Sequence, residues 1–167
     1  NKVINSRPDG HTLLFSMNGV ITGQAMRNKP EYDMTKDFIA ISPLFEGFFG
    51  MYINPDLPVK TLQEFVAYAK ARPGKLNYGT SGMGTIVHLT TDDFLQKAGL
   101  EMVHVPYRGG AEYLPATISN QVQLSFADVT FAQPQVDAGK VRLLAVTSKQ
   151  RLPQLPNVPT FEESGFR

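Results

Sequence analysis

Short apolar runs alternate along this chain with stretches whose apolar residues recur every three or four positions, and turns containing Gly or Pro separate the two. The continuous runs suit buried strands, whereas the wider spacing suits helices with one face on a core. "TLQEFVAYAKARPG" is the clearest helix: Leu62, Phe65, Val66 and Ala69 share a face, Thr61 and Glu64 form a capping box, and Pro73-Gly74 stop it. The pattern then predicts a strand at "KLNYG" (75–79), a glycine-rich loop, a helix from about Thr85 to Ala98 and a strand at "MVHVPY" (102–107). A helix near 111–118, a turn at "SNQ", a strand at "VQLSFAD" (122–128), a short helix over 130–138 ended by Gly139, and a strand at "KVRLLAVTS" complete it. Such alternation predicts an α/β fold with a mainly parallel sheet, covered on both faces and joined by right-handed crossovers.

The N-terminal third follows the same logic less cleanly. "HTLLFS" (11–16), after the Pro8-Asp9-Gly10 turn, reads as a short buried strand, and 19–27 as a short helix capped by Asn18. Residues 37–45 and 47–54 are rich in β-branched and aromatic side chains but broken by Pro43 and Gly47, which suits an extended crossing segment. The end, with Pro153, Pro156, Pro159 and Gly165, reads as loop up to a short helix capped by Thr160.

Composition narrows the function classes. A chain of 167 residues with 42% hydrophobic content can bury a core. Its 16 Lys and Arg against 15 Asp and Glu create no field that would draw it to nucleic acid or an anionic membrane. The absence of cysteine rules out disulfides, thiolate zinc sites and a cysteine nucleophile, and leaves the compartment open. No apolar run approaches the roughly 18 residues of a membrane span. "NKVINSRPDG" has no apolar leader segment, so either there is no signal peptide or the chain begins downstream of one.

In an open α/β sheet, ligands bind beyond the C-terminal ends of strands. Three loops take that position: Thr80 to Thr85, Tyr107 to Ala111, and Asp128 to Thr130. In the first, Gly82 and Gly84 let backbone N–H groups turn toward a common point, and Ser81 and Thr85 add hydroxyls at a helix N-terminus. An anion such as a carboxylate is the natural guest; the competing reading is a strand-to-helix turn that needs glycine for geometry and binds nothing. No Lys-Ser or Lys-Thr follows the glycines, GxGxxG spacing is absent, and Met83 breaks G-x-S-x-G. Nucleotide binding and a nucleophile elbow are therefore disfavoured.

His11, His88 and His104 lack metal-ligand spacing. His88 is placed to close the loop or bond to the next strand, and His104 reads as a satisfied core residue. Arg108, beside Gly109-Gly110, either pairs with an acid or is simply solvated. Asp128 either holds an amine or water or caps the helix that begins near Val129. Asp92-Asp93 read as a solvated helix face.

The ordered phrases "RPDGHTLLF", "YDMTKDF", "INPDLPVKTLQEFVAYAKARPGKLNYGTSGMGTIVHL", "HVPYRGGAEYLPATISNQVQLSF", "AGKVRLLAVTS" and "RLPQLPNVPTFEESGF" resemble the Bug family, extracytoplasmic substrate-binding proteins of tripartite tricarboxylate transporters. The resemblance covers nearly the whole chain. Departures are small: His11 where an aromatic Tyr is usual, and Met34 and Ala40 where proline is frequent. The resemblance implies a type II periplasmic-binding-protein fold, two α/β lobes closing on a carboxylate-bearing solute, with no catalysis, metal or cofactor. It implies a periplasmic location and membrane transporter subunits as partners. By the resemblance, Ser81, Gly82, Met83, Gly84 and Thr85 contribute backbone and hydroxyl donors to the carboxylate, and the loop from Tyr107 through Arg108 and Gly109 to Gly110 borders the same cleft; from its place at a strand tip, Asp128 is a further candidate contact. A second glycine-rich loop in the other lobe supplies the opposing contacts and is not in this sequence.

The expectation is thus a receptor truncated at both ends. Residues 1–48 form a partial first-lobe segment and hinge, 49–147 a whole second α/β lobe, and 148–167 a return toward the first lobe. Micromolar affinity corresponds to about 8 kcal/mol, so a lobe supplying half binds near millimolar. Bare sheet edges and an uncovered cleft predict self-association. Two other classes remain open: an effector-binding domain of a transcription regulator, and a small α/β hydrolase-type enzyme using the same loop.

Overall fold

The computed structural model describes residues 2–16, 23–24, 27–44 and 46–166. Its regular elements are β1 (Phe49–Ile53), α1 (Leu62–Lys70), β2 (Asn77–Thr80), α2 (Ile86–Ala98), β3 (Val103–Pro106), α3 (Gly110–Ile118), β4 (Leu124–Asp128), α4 (Val129–Asp137) and β5 (Arg142–Val146). Helix α1 starts where the capping pattern places it: the Thr61 hydroxyl accepts from Glu64 N–H at 3.1 Å. The Glu64 carboxylate reaches back to Lys60 N–H at 2.6 Å, one residue earlier than in a standard capping box. Helix α2 stops at Gly99, whose φ of +63° few other residues tolerate.

The five strands lie in the order β3-β2-β4-β1-β5. β2 pairs in parallel with β3 and β4, but β1 is antiparallel to both β4 and β5. The pairing is therefore mixed, where alternation alone predicts a mainly parallel sheet. The reason is local: Phe49, which opens β1, pairs with Asp128, which closes β4, so the chain enters the sheet at the edge where its other strands leave. That edge gathers the starts of α2, α3 and α4, the beginning of β1 and the end of β5.

Met51, Tyr52, Ile53, Leu124, Phe126, Ala145 and Val146 are fully buried. Burial of successive residues, rather than alternate ones, means that both faces of the central strands are covered. Asn54, also buried, donates from its side-chain amide to the carbonyls of Thr117 and Ile118 at 3.0 and 2.9 Å and so closes the end of α3.

The predicted strand at 11–16 does not form. Leu13, Leu14 and Phe15 are exposed, and the segment pairs with no strand among the described residues; an apolar run becomes a strand only beside a neighbour that takes up its backbone groups. Residues 38–44 form no regular element and pair with no strand among the described residues, with Ile39 and Ile41 exposed. The predicted helix at 19–27 lies mostly outside the described residues.

At the other end Thr160 caps a turn, not a full helix. Glu163 N–H donates to the Thr160 hydroxyl at 3.1 Å, and Thr160 N–H donates to the Glu163 carboxylate at 2.8 Å. Phe161 and Phe166 then pack edge-on against Phe94 of α2, with ring centroids 5.4 and 5.5 Å away.

Candidate functional site at the strand ends

The loop from Ser81 to Thr85 joins β2 to α2. Gly82 and Gly84 have φ of +106° and +75°, a region that strains side-chain-bearing residues. Their N–H groups turn inward. Gly82 N–H donates to the Thr80 hydroxyl at 3.1 Å, and Gly84 N–H donates to Nδ1 of His88 at 3.4 Å. Thr85 caps α2: its hydroxyl donates to the Gly82 carbonyl at 2.8 Å and accepts from His88 N–H at 3.4 Å. The glycine amides and the Thr85 hydroxyl are thus engaged within the loop.

Beyond this edge opens a cleft of about 820 Å³. Of the residues singled out from sequence, Ser81 and Asp128 line it. The others lie close by without forming its wall. Met83 is exposed, and the Tyr107 ring packs against Gly79 while its N–H donates to the Thr80 carbonyl at 2.8 Å. Arg108 is exposed, and its backbone N–H donates to Glu112 at 3.1 Å. Gly109 stands at the N-cap of α3 and supplies no side chain to cap it.

At the helix starts, sequence reasoning placed Gly110 and Ala111 in the loop after β3 but missed Ile86 and Val87. Ile86 and Val87 open α2, Gly110 and Ala111 open α3, and all four line the cleft. Their N–H groups have no partner among the described residues, as expected for the first turn of a helix. The signal was available: a capped helix start directly after a strand leaves its first amides free. Helix α4 is different, because Asp128 Oδ1 accepts from Thr130 and Phe131 N–H at 2.9 and 3.2 Å. That satisfies the N-cap reading of Asp128.

Leu14, Phe15, Pro43, Leu44, Phe49 and Phe131 add apolar surface, Ser16, Ser42 and Tyr113 add hydroxyls, and Glu46 and Asp128 are the acids. The described lining contains no Lys, Arg or His. Burial, with the Asp128 charge as a lesser cause, pushes the Tyr113 phenol up to about 12, so it stays a neutral donor and acceptor. An anion here would be met by helix N-termini and neutral donors, and its charge would avoid the Asp128 side.

Behind the loop lies a second polar group. His104 Nε2 is 2.6 Å from the Thr80 hydroxyl, its ring stacks on Tyr78 at 5.0 Å, and the His88 ring is 4.6 Å away. Burial first, and His88 second, hold the His104 imidazole below its ordinary 6.5. Tyr78 donates to Asp92 at 3.0 Å, and burial followed by this bond pushes its phenol up to about 12. Asp92 is therefore not merely part of a solvated face, whereas Asp93 is, pairing with Lys97 at 2.8 Å. Among the described residues no cluster of His, Asp and Glu has the makings of a metal site, and no helix is long and apolar enough to cross a membrane.

These features can be set beside known proteins. Residues 1–167 match the family described as "Tripartite tricarboxylate transporter family receptor" (TctC). A Cupriavidus necator protein, "UPF0065 protein in gbd 5'region", is 38% identical over 162 residues, which make up 97% of this chain and 49% of that protein. The solved structure "R. palustris Rpa4515 with adipate" superposes with a TM-score of 0.90 at 31% identity, covering 99% of this chain and 56% of the other. "MatC (Rpa3494) from Rhodopseudomonas palustris with bound malate" gives a TM-score of 0.85 at 28% identity, with the same coverage of 99% and 56%. The chain spans about half the length of the curated relatives it matches. With its α/β fold and its match along the whole length, this chain belongs to the tripartite tricarboxylate transporter receptor family.

Proposed function

We propose that this chain is the carboxylate-gripping lobe of a periplasmic solute receptor that delivers an organic acid to membrane transporter subunits. The observation that carries the reading is the pair of helix starts, Ile86-Val87 and Gly110-Ala111, whose first-turn N–H groups have no partner among the described residues and which line one cleft beside Ser81. A carboxylate there gains about 0.3 to 1 kcal/mol from each helix end and roughly 1.5 to 3 kcal/mol from each hydrogen bond to its charge. No arginine is needed. Adipate and malate in two structural neighbours support a carboxylate as the common element. Residues 49–147 are the gripping lobe in this reading, and 1–48 and 148–167 belong with the hinge and a second lobe. Ser81 forms the grip with the helix starts, Gly82, Met83, Gly84 and Thr85 shape the loop that presents it, and Tyr107, Arg108, Gly109 and Asp128 frame its border.

The test is a calorimetric titration of adipate and malate into this chain and into a version of full family length. Binding to both, weaker by orders of magnitude in the shorter one and weakened further by Ser81→Ala, is expected. Failure of either acid to bind the longer protein, across a panel of carboxylates, would sink the reading.

A further inference from the structure

The loop glycines are held from behind by two histidines. Thr80 has a single hydroxyl proton, and its oxygen already accepts from Gly82 N–H. The alternative acceptor for that proton, the Gly82 carbonyl, is 3.5 Å away, whereas His104 Nε2 is at 2.6 Å. The arrangement that satisfies every atom has Thr80 donating to Nε2, which requires a neutral His104 protonated at Nδ1. His88 has the complementary requirement: Nδ1 accepts from Gly84 N–H, so its proton sits on Nε2, which faces Asp92 at 4.0 Å. The titratable groups facing the pair are Tyr78 from β2 and Asp92 from α2, the latter already accepting from Tyr78.

We propose that His88 and His104 are positioning residues: as neutral imidazoles they fix Gly84 directly and Gly82 through Thr80, holding the loop in the shape that offers Ser81 and the α2 N–H groups to the cleft. Protonating either ring removes the lone pair on which its glycine depends and loosens that half of the loop. The lowered proton affinity of His104 agrees with a ring used as an acceptor. The value of this lock for binding rests on the function proposed above; the lock itself does not.

The experiment is therefore read first without ligand, by ¹⁵N–¹H NMR of the chain between about pH 7.5 and about pH 4.5, so that the interval passes below the ordinary imidazole value. Gly82 and Gly84 amides should be protected at the upper pH and shift together with the imidazole resonances. Their protection should fall roughly tenfold beyond the intrinsic pH effect. His88→Asn places an amide oxygen near Nδ1, and His104→Gln places one near Nε2, so each should keep its glycine protected and make it insensitive to pH. Thr80→Val should leave Gly82 unprotected throughout while sparing Gly84. Unprotected glycines in the native chain, or the same pH response in the Asn and Gln variants, would overturn the lock. Adipate affinity supplies the second arm: a roughly threefold loss over this interval in the native chain and none in the double variant is expected. A pH-independent adipate affinity would overturn the coupling to binding. If no carboxylate of the panel binds the full-length protein while the amide behaviour holds, the lock stands and the proposed function falls.

Discussion

Tyr52 tests whether the centre of this sheet tolerates a polar group that nothing satisfies. The residue is fully buried on β1, and its hydroxyl is the one buried side-chain oxygen or nitrogen without a hydrogen-bond partner among the described residues. Burial, with Asp128 and Tyr113 adding to it, raises the phenol above its ordinary value of 10.0, so the group is never charged at working pH. An unsatisfied buried hydroxyl costs about 1 to 3 kcal/mol. Tyr52→Phe removes that cost and leaves a void smaller than a methyl group, for which about 0.3 kcal/mol is lost at ~24 cal/mol per Å³. The net expectation is stabilisation by about 1 kcal/mol, which for a chain of this size raises the melting temperature by about 2 to 4 °C. Differential scanning calorimetry and urea denaturation of the two proteins, side by side, measure it. A fall in melting temperature of the same size would refute the reasoning. It would mean that the hydroxyl makes a bond of real worth, through an ordered water for instance, to Asp128 or Tyr113.

Two further outcomes follow from single groups. Asp128→Ala strips α4 of both bonds to its first turn and should cost about 0.5 to 2 kcal/mol in urea unfolding, with Asp128→Asn restoring most of it; equal losses for the two would argue against capping. Because His104 takes up a proton less readily folded than unfolded, its contribution to stability is whole above pH 6.5 and shrinks as pH falls toward the lower folded value; stability curves for the native chain and His104→Gln should diverge in that window, and parallel curves would contradict the lowered affinity.

The parts of this fold written in side-chain periodicity were legible. Leu62, Phe65 and Ala69 are the buried residues of α1, and the loops after β2, β3 and β4 sit where alternation of strand and helix puts them. Strand direction was not legible, because the apolar run at β1 reads the same whichever way it pairs. Leu13 to Phe15 misled for a related reason: an apolar run signals that a surface prefers company, not that the company is present. In the cleft, Ser81 and Asp128 announced themselves by type and position and Gly110 and Ala111 by their loop, but Ile86 and Val87 did not, because what they offer as polar groups is backbone N–H, which every sequence carries. Asp92 was missed because helical periodicity sets it on the outer face, while a tyrosine reaches it from the neighbouring strand.

The reversed strand has a mechanical meaning. Phe48 C=O accepts from Val129 N–H at 3.0 Å, Phe49 and Thr147 exchange bonds of 3.0 and 2.9 Å, and a Cβ at Gly47 would lie only 2.9 Å from Asp128 Oδ2. The segment entering β1 and the segment leaving β5 are thereby riveted to each other and to the cap of α4. Any swing of the N-terminal segment about residues 46–48 acts on this joint at the rim of the cleft, with no lever arm in between. The segments entering β1 and leaving β5 form a paired tether whose fulcrum is the mouth of the cleft.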